Sequence, residues 1–206
     1  MSAADFTALL PLITVSTTAV VLMIAIAIQR NHKVAVMISL IGLAAALGSL
    51  PFAASAVPRQ VTSLFILDSY SILYMAILLC AAVFVFLFGY DYLERRQEQR
   101  EEFYLLILLA ATGAMVLVVS RHFASFFLGL ELLSVALYAL ISYLRTESAS
   151  IEAGIKYLIL AASSSSLLLF CLALIYAESG SMELSQVAAV MIRAAGPTNT
   201  LPLLTG

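Results

Sequence analysis

The sequence predicts an all-α, polytopic transmembrane helix bundle of about six spans, N-terminus outside. Three observations predict it. The 206 residues are 63% hydrophobic and 11% charged, with a mean hydropathy of +1.08, whereas soluble domains carry about 45–50% apolar and about 25% charged residues. Six long apolar runs recur, near 9–28, 34–57, 69–90, 103–120, 122–144 and 153–177, each long enough for a hydrocarbon core of about 30 Å. Lys and Arg gather at alternate ends of those runs: Arg30, Lys33, Arg95, Arg96, Arg100 and Arg145 on one side, Arg59, Arg121 and Arg193 on the other. The richer side is expected in the cytoplasm. Runs this long and continuous satisfy their backbone in lipid as helices rather than barrel strands.

The first run follows "MSAADFTALL", which has no basic n-region, and its length of about 20 residues exceeds a signal core, so it reads as a retained span. His32, in "QRNHK", reads as part of a basic topology signal. In the second run, Gly42 with Ala46 and Ala45 with Ser49 are small pairs that let helices approach closely, and Pro51 is expected to kink or end the span. After the third run, "DYLERRQEQREE" mixes signs like a solvated helix end or loop. Arg121 and His122 mark the outer end of the fifth run and read as interfacial. Tyr70, Tyr90, Tyr92, Tyr104, Tyr143 and Tyr157 fall near predicted ends, as an aromatic belt does. "SSSS" at 163–166 reads as back-bonded hydroxyls with tight packing. Cys80 and Cys171, alone in apolar runs, read as buried thiols rather than metal ligands. Over 182–195, Leu184, Val187, Ala188 and Met191 share a face too short to span, an interfacial amphipathic segment. The whole of 1–206 reads as one membrane domain, and its end, where a new apolar run starts, is expected of a chain cut short.

The net charge of −2 and the lack of a basic patch interleaved with aromatics argue against nucleic acid as a partner. There is no phosphate loop, HExxH or nucleophile elbow. Chemistry therefore falls to polar groups within the membrane.

Glu131 is the first of these. It lies about 3 Å from the centre of its run, where an ionised side chain costs about 2.5–3.5 kcal/mol on insertion scales. Burial favours the protonated acid and a nearby cation the ionised one, so a carboxyl poised between them takes and releases protons. At 100° per residue, Ser134, Tyr138 and Ser142 lie within about 60° of it and form a polar stripe toward the cytoplasmic end. Two readings stand: a proton-transfer group, or a protonated carboxyl bonded to a neighbouring helix for packing. Lys156 is the second candidate, one turn inside the sixth run and four residues after Glu152, the favoured order for a helical ion pair. It is either a relay group or a lysine that snorkels to the interface. Its depth differs from that of Glu131 by more than about 10 Å, which disfavours a direct pair.

"EEFYLLILLAATGAMVLVVSRHFASFFLGLELLSVALYALISYLR" and the following "SIEAGIKYLILAASSSSLLLFCLALIYAESG" resemble the bacterial NADH–quinone oxidoreductase subunit N, an antiporter-like membrane subunit of respiratory complex I. The resemblance is close over 101–182 and is carried by "LELLSVALYALI" and "EAGIKY". It implies an N-terminal part of an antiporter-like fold and a proton-translocation path coupled to quinone reduction elsewhere in the complex. The family's mid-membrane glutamate on the fifth helix matches Glu131, and its lysine near the start of the sixth matches Lys156. The resemblance further implies a non-redox subunit of a translocase: NADH, FMN, iron–sulfur clusters and quinone are bound by other subunits, and this chain holds no cofactor or metal. Partners would be the other membrane subunits of complex I and the lipid of a bacterial inner membrane. Family members have about fourteen spans in inverted repeats; the broken seventh helix, whose lysine pairs with the fifth-helix glutamate, and a further lysine on the eighth would lie beyond Gly206. By this reading, the 206 residues alone are inactive. Rival readings are a subunit of a related cation/proton antiporter or membrane-bound hydrogenase, and a non-transporting assembly remnant.

Overall fold

The computed structural model describes residues 3–94, 100–144 and 147–195. Arg95, Arg96, Arg145 and the segment from 196 onward lie outside the described residues, and of Arg193 only the backbone is described. Seven helices follow one another: α1 (Ala3–Ile28), α2 (His32–Ser55), α3 (Ser69–Glu94), α4 (Arg100–Val119), α5 (Phe123–Ile141), α6 (Ser148–Ser179) and α7 (Leu184–Ala195). The first six are long and apolar enough to cross a membrane. A two-stranded antiparallel hairpin, β1 (Arg59–Gln60) and β2 (Ile66–Leu67), interrupts the α2–α3 connection, with Arg59 opposite Leu67 and Gln60 opposite Ile66. The apolar periodicity gives no hint of so short a ladder.

Local chemistry sets the helix ends. α1 starts at Ala3, ahead of its apolar run, because Asp5 suits the positive end of the helix dipole and pairs with Arg59. Asn31 caps α2, its side chain accepting from the amides of Lys33 (3.1 Å) and Val34 (3.5 Å). α2 runs through Pro51 to Ser55 instead of ending at it. α6 closes at Gly180, whose φ of 66° is a left-handed cap that glycine adopts without strain.

Consecutive helices alternate in direction. At one end the hairpin meets the α4–α5 junction, where Phe65 bridges Ser120 and the Arg121 amide donates to Leu64 O at 2.9 Å; His122 there bridges Glu183. At the other end Arg30 pairs with Glu102 (3.1 Å), and Phe103 meets Tyr143 with ring centroids 5.5 Å apart.

α4 is the axis of the core. It packs against α1, α2, α3 and α5, and Tyr104, Leu108, Met115 and Val119 are wholly buried. α2 lies so close to α1 that a Cβ on Gly42 would overlap the Thr18 side chain. Gly42, Ala46 and Ser49 are buried, while Ala45 faces outward, so one of the two small pairs makes the contact. Tyr104 is not part of an interfacial belt: stacked on Phe86 at 5.1 Å, it fills the core. Cys80 and Cys171 are exposed rather than buried: Cys80 lies on the outward face of α3, and Cys171 on α6, of which only Gly154 is buried. α6 is the outlier. Only Gly154 of its 32 residues is buried, and it meets the rest chiefly at α5 and α7. On α7, Val187 alone of the predicted apolar face is buried.

Candidate functional site

Two glycines place Glu131. A Cβ on Gly113 would lie 2.6 Å from Leu133 N and 2.9 Å from Gly129 O; one on Gly129 would lie 3.0 Å from Leu117 N. The backbones of α4 and α5 therefore touch, and the contact fixes the rotation of α5. Gly129 and Leu133 face α4. Glu131 stands between them in sequence, so it is about 160° from each and points away from α4. It is the ninth of the nineteen α5 residues, one short of the midpoint. The residue is half-buried, and its Oε1 is sealed from solvent with no hydrogen-bond partner among the described residues.

A third sector of α5 faces α6. Leu130 and Ser134 form one wall of a groove of about 570 Å³; Tyr157, Leu160, Ala161, Ser164, Ser165 and Leu168 form the other. Ser134 is one turn from Glu131, which is not itself among the residues that line the groove. The serine run thus divides. Ser163 and Ser166 donate to Ile159 O and Ala162 O at 2.8 Å, as back-bonding serines do, while Ser164 and Ser165 turn their side chains to the groove. The tight packing expected of that run is not found, because α6 stands off from the bundle at mid-height.

The rest of the predicted stripe has a mixed fate. Tyr138 is half-buried one turn beyond Ser134. Ser142 is the C-cap of α5 rather than part of its body; its hydroxyl donates to Tyr138 O at 2.9 Å, and Gly154 packs so closely that a Cβ there would lie 2.5 Å from Ser142 Cβ. Lys156 lies about two turns from the start of α6 at Ser148, which begins ahead of the apolar run. Its ammonium pairs with Glu152, and both side chains are about two-thirds exposed (69% and 66%). Glu131 and Lys156 do not pair. Among the described residues no three His, Cys, Asp or Glu side chains gather as metal ligands would.

The outer end of α5 is more organised than an interfacial Arg121–His122 suggests. His122 caps α5 through Nδ1, which accepts from Ala124 N at 3.1 Å. Arg121 Nε pairs with Glu183 at 2.7 Å, and its guanidinium also donates to Gln60 Oε1 at 2.6 Å. The arginine–glutamate separation in sequence is too long for periodicity to reveal. The glycine crossing was open to a search for glycines at the centres of the fourth and fifth apolar runs.

Residues 120–204, which include α5 and α6, match a family model described as NADH:quinone oxidoreductase/Mrp antiporter, transmembrane. In solved structures the chain superposes on a subunit of respiratory complex I from Thermus thermophilus, solved with bound aureothin, at a TM-score of 0.72 and 26% identity. The fold is that of the antiporter-like membrane subunits. The match covers 88% of this chain and 42% of that one. A second match in fold is a chain of the membrane-bound sulfane sulfur reductase, an archaeal respiratory membrane complex, at a TM-score of 0.70 and 19% identity, covering 92% of this chain and 40% of that one. The chain thus spans about two fifths of the length of each. Both solved relatives belong to multi-subunit membrane assemblies. The fold sets Glu131 near the middle of α5, one turn from Ser134 in the groove described between α5 and α6.

Proposed function

We propose that this chain is the antiporter-like subunit N of a bacterial NADH–quinone oxidoreductase and supplies part of a proton path coupled to quinone reduction elsewhere in the complex. The observation that carries this reading is the sealed Glu131 Oε1 near the middle of α5, without a hydrogen-bond partner among the described residues and one turn from the Ser134 of a groove that also bears Ser164 and Ser165. A buried carboxyl without a fixed partner is costly unless it carries a proton or meets a cation, which makes it a functional group by default. Glu131 would take and release the proton. Ser134 and Tyr138 would carry it toward the basic end, Ser142 would hold the α5–α6 contact there, and Lys156 with Glu152 would set the local charge. The redox groups and quinone belong, on this reading, to other subunits, the N-terminus faces outward, and the membrane is the bacterial inner one.

The test is Glu131→Gln in the assembled complex. Pumping driven by NADH should fall by about a hundredfold or more, since positioned proton transfer contributes about 10²–10⁴-fold, while assembly is kept. Normal pumping by the assembled variant removes Glu131 from the mechanism. A second reading, a cation/proton antiporter or hydrogenase subunit, draws on the joint family description and the archaeal match. Flux that follows a sodium gradient and ignores NADH and quinone would favour it.

A further inference from the structure

A second set of sealed polar atoms lies at the basic end of the bundle, away from Glu131. Both ring nitrogens of His32 and the hydroxyl of Tyr104 are buried and have no hydrogen-bond partner among the described residues. They share one aromatic cage. His32 stacks on Tyr90 with centroids 5.1 Å apart and tilts over Tyr104 at 5.6 Å; Phe86 and Phe103 close the far side of Tyr104. Three such atoms in one place are unusual, because buried polar groups almost always find a partner, and ordered water serves where protein does not. The chemistry suits water. A neutral imidazole offers one donor and one acceptor, and a phenol offers both.

We propose that His32 and Tyr104 form a water-holding proton-transfer site at this end of the bundle. The inference rests on the proton-path reading above and extends it to a place on α2 and α4. The site adjoins the α5 stripe: Phe103 packs edge-on against both Tyr104 and Tyr143, and Tyr143 follows Ser142, the α5 cap. Each transfer balances. A hydronium on one side gives a proton to the bare ring nitrogen and is left as water, the other nitrogen releases its own proton to a second water, which carries it on as hydronium, and the ring is left neutral in the other tautomer. Tyr104 relays by donating its proton as it accepts one. The groups around the ring carry both signs: Glu94 and Tyr90 from α3, Arg100 and Glu101 from α4, Lys33 beside it on α2, and the Arg30–Glu102 pair at the same end of the bundle.

Two variants test this with the cage kept intact. His32→Phe preserves the stacked ring, and Tyr104→Phe removes one oxygen. In the assembled complex each should slow pumping about tenfold, and His32→Phe should also abolish one limb of its pH profile. Glu131→Gln is run beside them. If Glu131→Gln is slow while both cage variants pump normally with an unchanged profile, the cage proposal is overturned and the α5 path stands. The full chain in lipid nanodiscs gives a second readout, since His122→Asn leaves His32 as the only one of the 2 histidines. Nitrogen NMR should then show ring N–H exchanging with water, and a signal that shifts in Tyr104→Phe. A ring fixed in one tautomer, protected from exchange and indifferent to Tyr104→Phe, overturns the site even where Glu131→Gln itself pumps normally.

Discussion

Asp68 precedes α3, and one of its carboxylate oxygens accepts from both the amide and the hydroxyl of Ser71 at 2.7 Å. The hydroxyl bond and then the amide bond hold its carboxyl below the ordinary value of 3.8, against the opposing effect of burial. A group whose folded pKa is depressed stabilises the fold fully above its unfolded value and loses that contribution as pH falls through the folded one. Asp68→Ala should therefore cost about 1 kcal/mol near neutral pH, the usual loss of a cap, and the gap from the parent should close as pH falls below about 3.8. Asp68→Asn, itself a good cap, should retain most of the stability without the pH dependence. Thermal unfolding in detergent at a series of pH values reads both, and a gap independent of pH would refute the assignment. A sequence can suggest such a cap. It cannot weigh one against its surroundings. Glu131 stood out by its lack of charged neighbours, whereas His32 looked like one basic-loop residue among several until folding brought Tyr90 and Tyr104 to its ring.

Helices were the most legible level, because lipid leaves the backbone few alternatives. Six apolar runs became six long helices, and the shifts at Ala3 and Ile141 go with the Asp5–Arg59 ion pair and the Ser142 cap, which lie outside the apolar signal. Which helices touch was less legible. The small residues of α2 pointed to a close neighbour without naming α1. The α4–α5 crossing rests on Gly113 and Gly129, which are far apart in sequence and meet only in space. Because that crossing orients Glu131, it links packing to the proposed function. Gly113→Ala places a carbon 2.6 Å from Leu133 N, against backbone that cannot swing aside. The helices must separate or rotate, and the expected loss is about 1–3 kcal/mol, as for other overpacked sites. Gly48, with nothing near its missing Cβ, is the control: Gly48→Ala should be neutral or slightly stabilising. Equal unfolding temperatures for the two variants would show that the crossing tolerates a side chain.

At the scale of the whole molecule, α6 is a long helix tied at its two ends and standing off between them. One tie is the Gly154–Ser142 contact, reinforced by the Ser150 hydroxyl donating to Ile141 O at 2.6 Å. The other is Arg121, which gathers three chain segments. Its side chain reaches Glu183 and Gln60, its amide donates to Leu64 O, and its carbonyl accepts from Leu184 N at 3.0 Å. The groove beside Glu131 depends on both ties holding while the middle stays apart. Arg121 and Glu183 are 25% and 18% exposed, so solvent screens them only partly. Hydrogen bonds to charged groups contribute about 1.5–3 kcal/mol; with that partial exposure, Arg121→Ala should cost about 1–2 kcal/mol locally. Amide exchange over 182–187 should then quicken roughly 5–30-fold, while exchange in α4 stays as it was. The Arg30–Glu102 pair at the opposite end, 54% and 31% exposed, supplies the comparison. Arg30→Ala should alter exchange near it by less than about threefold, since surface pairs contribute little. If both substitutions loosen their ends equally, Arg121 is not a clasp, and the separation of α6 from α5 must be maintained by the Gly154 contact alone.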